Sequence, residues 1–147
     1  MPEVAVMAAV PGAPPDEVFA AVADFASYAE HTDTVRGVVV TPLDDGGAES
    51  AWEVNFRNGV LTWTERDLVD PRARRIDFEQ VDGDFVLFTG TWAVEPDGDG
   101  STVRFTASFD LGMPSLAAMI DPIAVRTLVD NVQAILSGLL GPRVTFA

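Results

Sequence analysis

The chain has 147 residues, nearly half of them apolar, which is about the length of one domain and enough for one sizeable core. It has no cysteine, which excludes disulfides, thiolate nucleophiles and cysteine-held metals, and its single histidine, His31, cannot build a histidine metal cage within one chain. The nine basic residues are all arginine, so a lysine Schiff base is also excluded, and the net charge of -14 argues against nucleic acid and anionic membrane surfaces as partners.

The N-terminal "MPEVAVMAAVPG" lacks the basic region of a signal peptide. No stretch reaches the ~18 uncharged apolar residues of a spanning helix. A soluble, cytoplasmic protein without membrane insertion is expected, and the all-arginine, Ala/Val/Gly/Asp-rich composition suggests a GC-rich bacterial source.

In chain order, "EVAVMAAV" reads as a strand. "PPDEVFAAVADF" reads as a short helix with a proline start, and "SYAEH" as a second one. Turn signals then recur at "DDGG" (44–47), "RNG" (57–59), "DPRAR" (70–74), "VDGD" (81–84) and "EPDGDG" (95–100). The segments between them alternate with period two. Trp52, Val54 and Phe56 alternate with Glu53, Asn55 and Arg57; Val103, Phe105, Ala107 and Phe109 alternate with Arg104, Thr106, Ser108 and Asp110. That is the pattern of antiparallel strands with one dry and one wet face.

Asp121-Pro122 reads as a helix start and Gly141-Pro142 as a stop. Between them Val125, Leu128, Val129, Val132, Ile135, Leu136 and Leu139 follow helical spacing on one face. The order is strand, two short helices, six strands and a long helix over about 122–140. A seven-stranded antiparallel sheet covered on one side by that helix, in a single domain of residues 1–147, is the architecture this predicts.

The face of one strand is ambiguous. In "FRNGVLTWTERDLVD" (56–70), a two-residue Asn58-Gly59 turn pairs Arg57 with Val60, puts Leu61 and Trp63 on the dry face and leaves Arg66 in water. A three-residue loop with a bulge at Gly59 instead pairs Phe56 with Val60 and turns Val60, Thr62, Thr64, Arg66 and Leu68 inward.

The order of elements, carried by "PPDEVFAAVADFASYAEH", "WTERDLVDPRARRIDFEQVDGDF", "FTGTWAVEPDGDGSTVRFTASFDL" and the long helix, resembles the helix-grip fold of the START and Bet v 1-like superfamily. The nearest branches are the polyketide cyclase/aromatase and coenzyme Q-binding proteins. The resemblance implies a deep apolar cavity between sheet and helix, with a strand arginine among its few polar groups. On that ground Arg66 is expected inward, with Trp63 and Leu61 stranded on the outer face, where they would favour a homodimer.

The resemblance further implies a cofactor-independent enzyme that folds a polyketone and promotes ring closure and dehydration, the chain arriving free or on an acyl carrier protein. Arg66 would polarise a carbonyl, and Tyr28 or His31, near the expected cavity mouth, would move protons. Thr62, Thr64, Gln80, Phe88, Trp92 and Phe105 are expected along the cavity, and Thr127 and Asp130 on the flank of the long helix. The competing expectation is a non-catalytic carrier of a quinone, isoprenoid or lipid, which apolar walls fit equally well.

Overall fold

The computed structural model describes residues 1–147. Strand β1 (Glu3–Val10) leads into helix α1 (Pro15–Ala23), a 3-10 turn (Phe25–Ser27) and helix α2 (Tyr28–His31). Six strands follow: β2 (Val35–Pro42), β3 (Ala48–Phe56), β4 (Gly59–Asp70), β5 (Arg75–Gly83), β6 (Leu87–Asp97) and β7 (Gly100–Asp110). Helix α3 (Ala117–Leu140) and the two-residue strand β8 (Thr145–Phe146) complete the chain.

The strands form one sheet in the order β2-β3-β4-β5-β6-β7-β1-β8, antiparallel at every pairing. The eighth strand is the short C-terminal segment on β1, which the sequence pattern did not signal. The sheet is otherwise a meander closed by the return of β1 beside β7, in register from Glu3↔Ser108 to Val10↔Ser101.

Alternation sets the inner face. Val4, Val6, Ala8 and Val10 of β1 are buried, as are Val103, Phe105, Ala107 and Phe109 of β7. Helix α1 begins at a proline with Asp16 and Glu17 in its first turn, where carboxylates favour the helix dipole, and it buries Val18, Phe19 and Val22. Helix α2 lies close against α3. A side chain at Gly138 would run into the His31 carbonyl, so a glycine there lets the two backbones meet.

Helix α3 starts at Ala117, five residues before Pro122, so the Asp121-Pro122 pair is not its beginning. Pro122 lies inside the helix and has no N–H to offer the Ala118 carbonyl one turn back. The interruption falls where the helix packs least. Leu116, Met119 and Ile123 are exposed, and the first buried residue is Ala124. From there Leu128, Val132, Ile135, Leu136 and Leu140 are buried against the sheet. Residues Pro114–Leu140 are long and apolar enough to span a bilayer by composition, but here the helix is the one the sheet wraps.

Candidate functional site

The two inner strands β3 and β4 join through a two-residue turn, Arg57-Asn58, with Arg57 at φ 55° and Phe56 opposite Gly59. Neither pairing considered from sequence is the one observed. The facing nonetheless matches the two-residue alternative, because Val54 opposes Leu61 and Trp52 opposes Trp63. Trp63 is therefore inside, stacked on Trp52 with ring centres 5.7 Å apart and planes 3° off parallel. Burying two indoles outweighs burying a guanidinium, which would need a charged partner in the core.

Position 83 supports this register. Trp63 pairs with Gly83, at φ 147°, and a Cβ there would lie 2.5 Å from the Trp63 backbone. The β4–β5 ladder then shifts between Thr64 and Glu65, leaving Val81 as a bulge.

Arg66 consequently points outward, against the expectation. Its guanidinium, 45 % exposed, pairs with Asp45 in the β2–β3 turn, and its cross-strand neighbours are Glu49 and Glu79. Thr62 is likewise exposed, its N–H donating to Asp84, and Thr64 lies on the same outer face. The basis for a dimer through an exposed Trp63 is gone, because Trp63 is in the core.

What shares the inner face of β4 with Trp63 is a pair of acids. Glu65 and Asp67 are 3 % and 1 % exposed. Trp63 Nε1 donates to Glu65 Oε1 at 2.7 Å. Trp52 Nε1 donates to Ser50 Oγ at 2.7 Å, and Ser50 in turn donates to Asp67 Oδ2 at 2.5 Å. The stacked indoles thus feed one network that ends on two neighbouring carboxyls, close enough to act on each other's protonation. Burial, and then the Asp67 carboxyl beside it, raises Glu65 well above the usual carboxylate range. Burial raises Asp67 too, against the lowering effect of its bonds to Glu65 and Ser50.

Glu65 forms part of the wall of an internal cavity of about 50 Å³ between sheet and helix. Trp52, Trp63, Phe88, Trp92 and Phe105 line the sheet side, and Leu128, Asn131, Val132 and Ile135 of α3 the other. Phe88, Trp92 and Phe105 are where the alternation put them. The cavity is not the deep one expected. Ligand sites usually measure ~300–1,000 Å³, so this space is far smaller, with room for only a few water-sized groups. Its two polar lining residues are Glu65 and Asn131, and the Asn131 amide nitrogen is committed to the Asn55 carbonyl at 2.9 Å.

The remaining expected site residues lie elsewhere. Tyr28 is fully buried, its hydroxyl donating to the Val22 carbonyl at 2.5 Å and its ring edge-on to Phe25, Trp52 and Trp92. Burial, with Glu65, Asp67 and Asp24 nearby, raises its phenol well above the ordinary value. It packs in the core beside the acid pair. His31 is exposed at the end of α2. Gln80 braces the β5–β6 turn through both its amide atoms to the Phe85 backbone. Thr127 donates to the Ile123 carbonyl within α3, and Asp130 pairs with Arg126 in solvent at 3.5 Å.

A larger hollow of about 640 Å³ lies on the outer face of the sheet, across β4, β5, β6, β7 and β1. Its polar side chains include Glu3, Arg66, Asp77 and Glu79, and its single base is the arginine already paired with Asp45. It is an open trough of ordinary strand surface. The buried acids are on the other side.

An antiparallel sheet closed around a long C-terminal helix, over an aromatic interior with few polar groups, defines a helix-grip protein of the START and Bet v 1-like superfamily. Within it, the chain belongs to the polyketide cyclase/dehydrase and lipid transport family, whose model matches residues 11–136. The protein TTHA0849 from Thermus thermophilus is similar in structure at a TM-score of 0.86 and 26 % identity, over 94 % of both chains. The Zhui aromatase/cyclase from Streptomyces sp. R1128 superposes at a TM-score of 0.77 and 22 % identity, over 92 % of both chains. A START superfamily protein from Mycobacterium smegmatis does so at 0.79 and 18 %, over 94 % of this chain and 96 % of the other. The last two likenesses establish the fold alone. No curated protein matches the sequence.

Sequence reasoning missed the acid pair. The signal was present, since Glu65 and Asp67 follow Trp63 at i+2 and i+4 and so must share its face. Once the tryptophan is taken as core, both carboxyls are inside.

Proposed function

We propose that the interior takes up a hydrophobic, oxygen-bearing ligand of polyketide type and promotes its cyclisation or dehydration, with Glu65 as the group that acts on it. The observation that carries this is the position of Glu65, the one ionisable side chain on the cavity wall. Its raised affinity for a proton suits it to donate to a carbonyl or hydroxyl oxygen, as a general acid must. The aromatic walls would hold the chain and the flat ring it closes to, and excluding water would protect a reactive polyketone from side reactions.

Membership of a family that includes polyketide cyclases supports this reading, as does the fold shared with an aromatase/cyclase. A carrier role is the second reading, favoured by the ten apolar residues among the twelve that line the cavity and by the lipid transport within the same family. A minimal polyketide synthase reconstituted with this protein separates the two. A cyclase changes the products formed, and Glu65→Gln abolishes the change while the protein stays folded. A carrier binds the polyketide, quenching its stacked tryptophans, and leaves the product spectrum as it was.

A further inference from the structure

We infer that Glu65 and Asp67 hold a single proton between them and work as one proton shuttle, Glu65 exchanging with the ligand and Asp67 serving as the store behind it. This deepens the cyclase proposal and rests on it for the identity of the ligand.

The geometry supports one proton, rather than none or two. With both groups ionised, two negative charges would sit in the core with no cation near them. The buried polar residues are Ser50, Glu65, Asp67, Ser101 and Thr127, and no arginine is among them. The groups that face the pair are equally uncharged. They are Tyr28 from α2, tied to Val22; Ser50 and Trp52 from β3; Trp63 from β4; Phe78, opposite Asp67 on β5; and Asn131 from α3. The further charge beside Tyr28, Asp24, is itself negative, and Arg66 lies on the opposite face of the strand, paired with Asp45.

Asp67 also has an acceptor to spare. Its Oδ2 accepts from Ser50, but its Oδ1 is buried and receives nothing from any fixed N–H or hydroxyl donor. A buried acceptor left without a donor is destabilising. A proton on Glu65 supplies the missing donor, and Asp67 then accepts twice as a carboxylate. A second proton would destroy that arrangement by turning an acceptor into a donor. Like charges this close cannot both ionise freely, so losing the first proton makes the second harder to remove.

One proton and one spare acceptor suit both halves of an aldol closure. Glu65 takes the C–H proton from the carbon between two carbonyls, while the shared proton passes to Asp67. The carbanion carbon bonds to a second carbonyl carbon, and that carbonyl's π pair becomes an alkoxide. Asp67 returns its proton to Glu65 as Glu65 protonates the alkoxide. In dehydration the shuttle again takes a C–H proton and gives one to the departing hydroxyl, so water leaves and a C=C bond forms. The pair ends each cycle as it began. Glu65 is the catalytic residue, and Asp67 is a positioning residue that acts through it.

The test starts on the ligand-free full-length protein, by carbon NMR titration of labelled side-chain carboxyls assigned with Glu65→Gln and Asp67→Asn. Two separated steps, both displaced upward from ordinary carboxylates and each moving both signals, are expected. Independent single steps, or two carboxyls that both ionise in the ordinary range, overturn the shared proton without reference to activity. In the reconstituted synthase, Glu65→Gln is expected to lose turnover by about 10²–10⁴-fold, the contribution of a positioned acid or base. Asp67→Asn should shift the pH profile and lower kcat while ligand affinity by tryptophan quenching stays the same. Wild-type turnover in Glu65→Gln overturns the shuttle and the role of Glu65, and leaves standing only that the protein changes the product spectrum. Two coupled steps in a protein that never changes the product spectrum overturn the cyclase proposal and leave the shared proton in place.

Discussion

The two faces of β4 carry similar chemistry and opposite consequences. The inner face reads Trp63, Glu65, Asp67, and the outer face reads Thr64, Arg66, Leu68. Both combine charge with apolar surface. Outside, Arg66 meets Asp45 in solvent, where a pair of this kind contributes about 0–1 kcal/mol. Inside, the carboxyls lose water and gain no cation, and burial raises both. Residue type alone does not decide what a charge does on a strand. The parity of its position, fixed by which tryptophan the core accepts, does.

The sharpest way to break this contrast is to remove what sets the parity. Trp63→Ala deletes one ring of the stack with Trp52 and the edge contacts to Phe85 and Phe88. Truncating a buried aromatic costs about 3–5 kcal/mol. The denaturant midpoint should fall accordingly, with the Trp52 emission altered by loss of its partner. A variant of near-native stability would show that Trp63 does not fix the register.

The next effect is the pH dependence of folding. Burial raises both acids, so the folded chain keeps protons that the unfolded chain releases in the ordinary carboxylate range. The sign follows from that. Their contribution is fully present below that range and is lost as pH climbs through the raised values. Each pKa unit of upward shift corresponds to about 1.4 kcal/mol. Calorimetry should show the melting temperature falling over this window more steeply for the wild type than for Glu65→Gln/Asp67→Asn. Taking the difference between the two curves removes most of the general repulsion from a net charge of -14. Parallel curves would mean that the acids titrate like surface groups.

Much of the fold was legible because period and punctuation agree. The alternation of β7 and the apolar stripe from Leu128 to Leu136 lead directly to a sheet around a helix. The start of α3 was misplaced because Asp-Pro is a good helix opening, and nothing in the sequence says that an interior proline is tolerated where the helix faces solvent. The strand β8 is two residues long, too short for any periodicity. The site was harder. Cavity-lining Phe88, Trp92 and Phe105 follow from alternation, but the face of β4 depended on a turn whose two readings differ by one residue. The familial expectation of an inward arginine favoured the wrong one. Burial of Trp63 was the better guide, and it places two acids where an arginine was expected.

The smallest effect is the most direct check on the outer face. Arg66→Ala removes a half-exposed ion pair with Asp45, and the two side chains are 45 % and 50 % exposed. Solvent screening limits the loss to about 0–1 kcal/mol, shrinking further in high salt. Relief at the β2–β3 turn is negligible, since Asp45 still accepts the Gly47 N–H at 3.0 Å through its other carboxylate oxygen. Turnover in the synthase assay should therefore match the wild type, and the melting temperature should move by a degree or two at most. If Arg66→Ala abolished product formation with the fold intact, the outer face would hold the chemistry, and the buried acids would be structural.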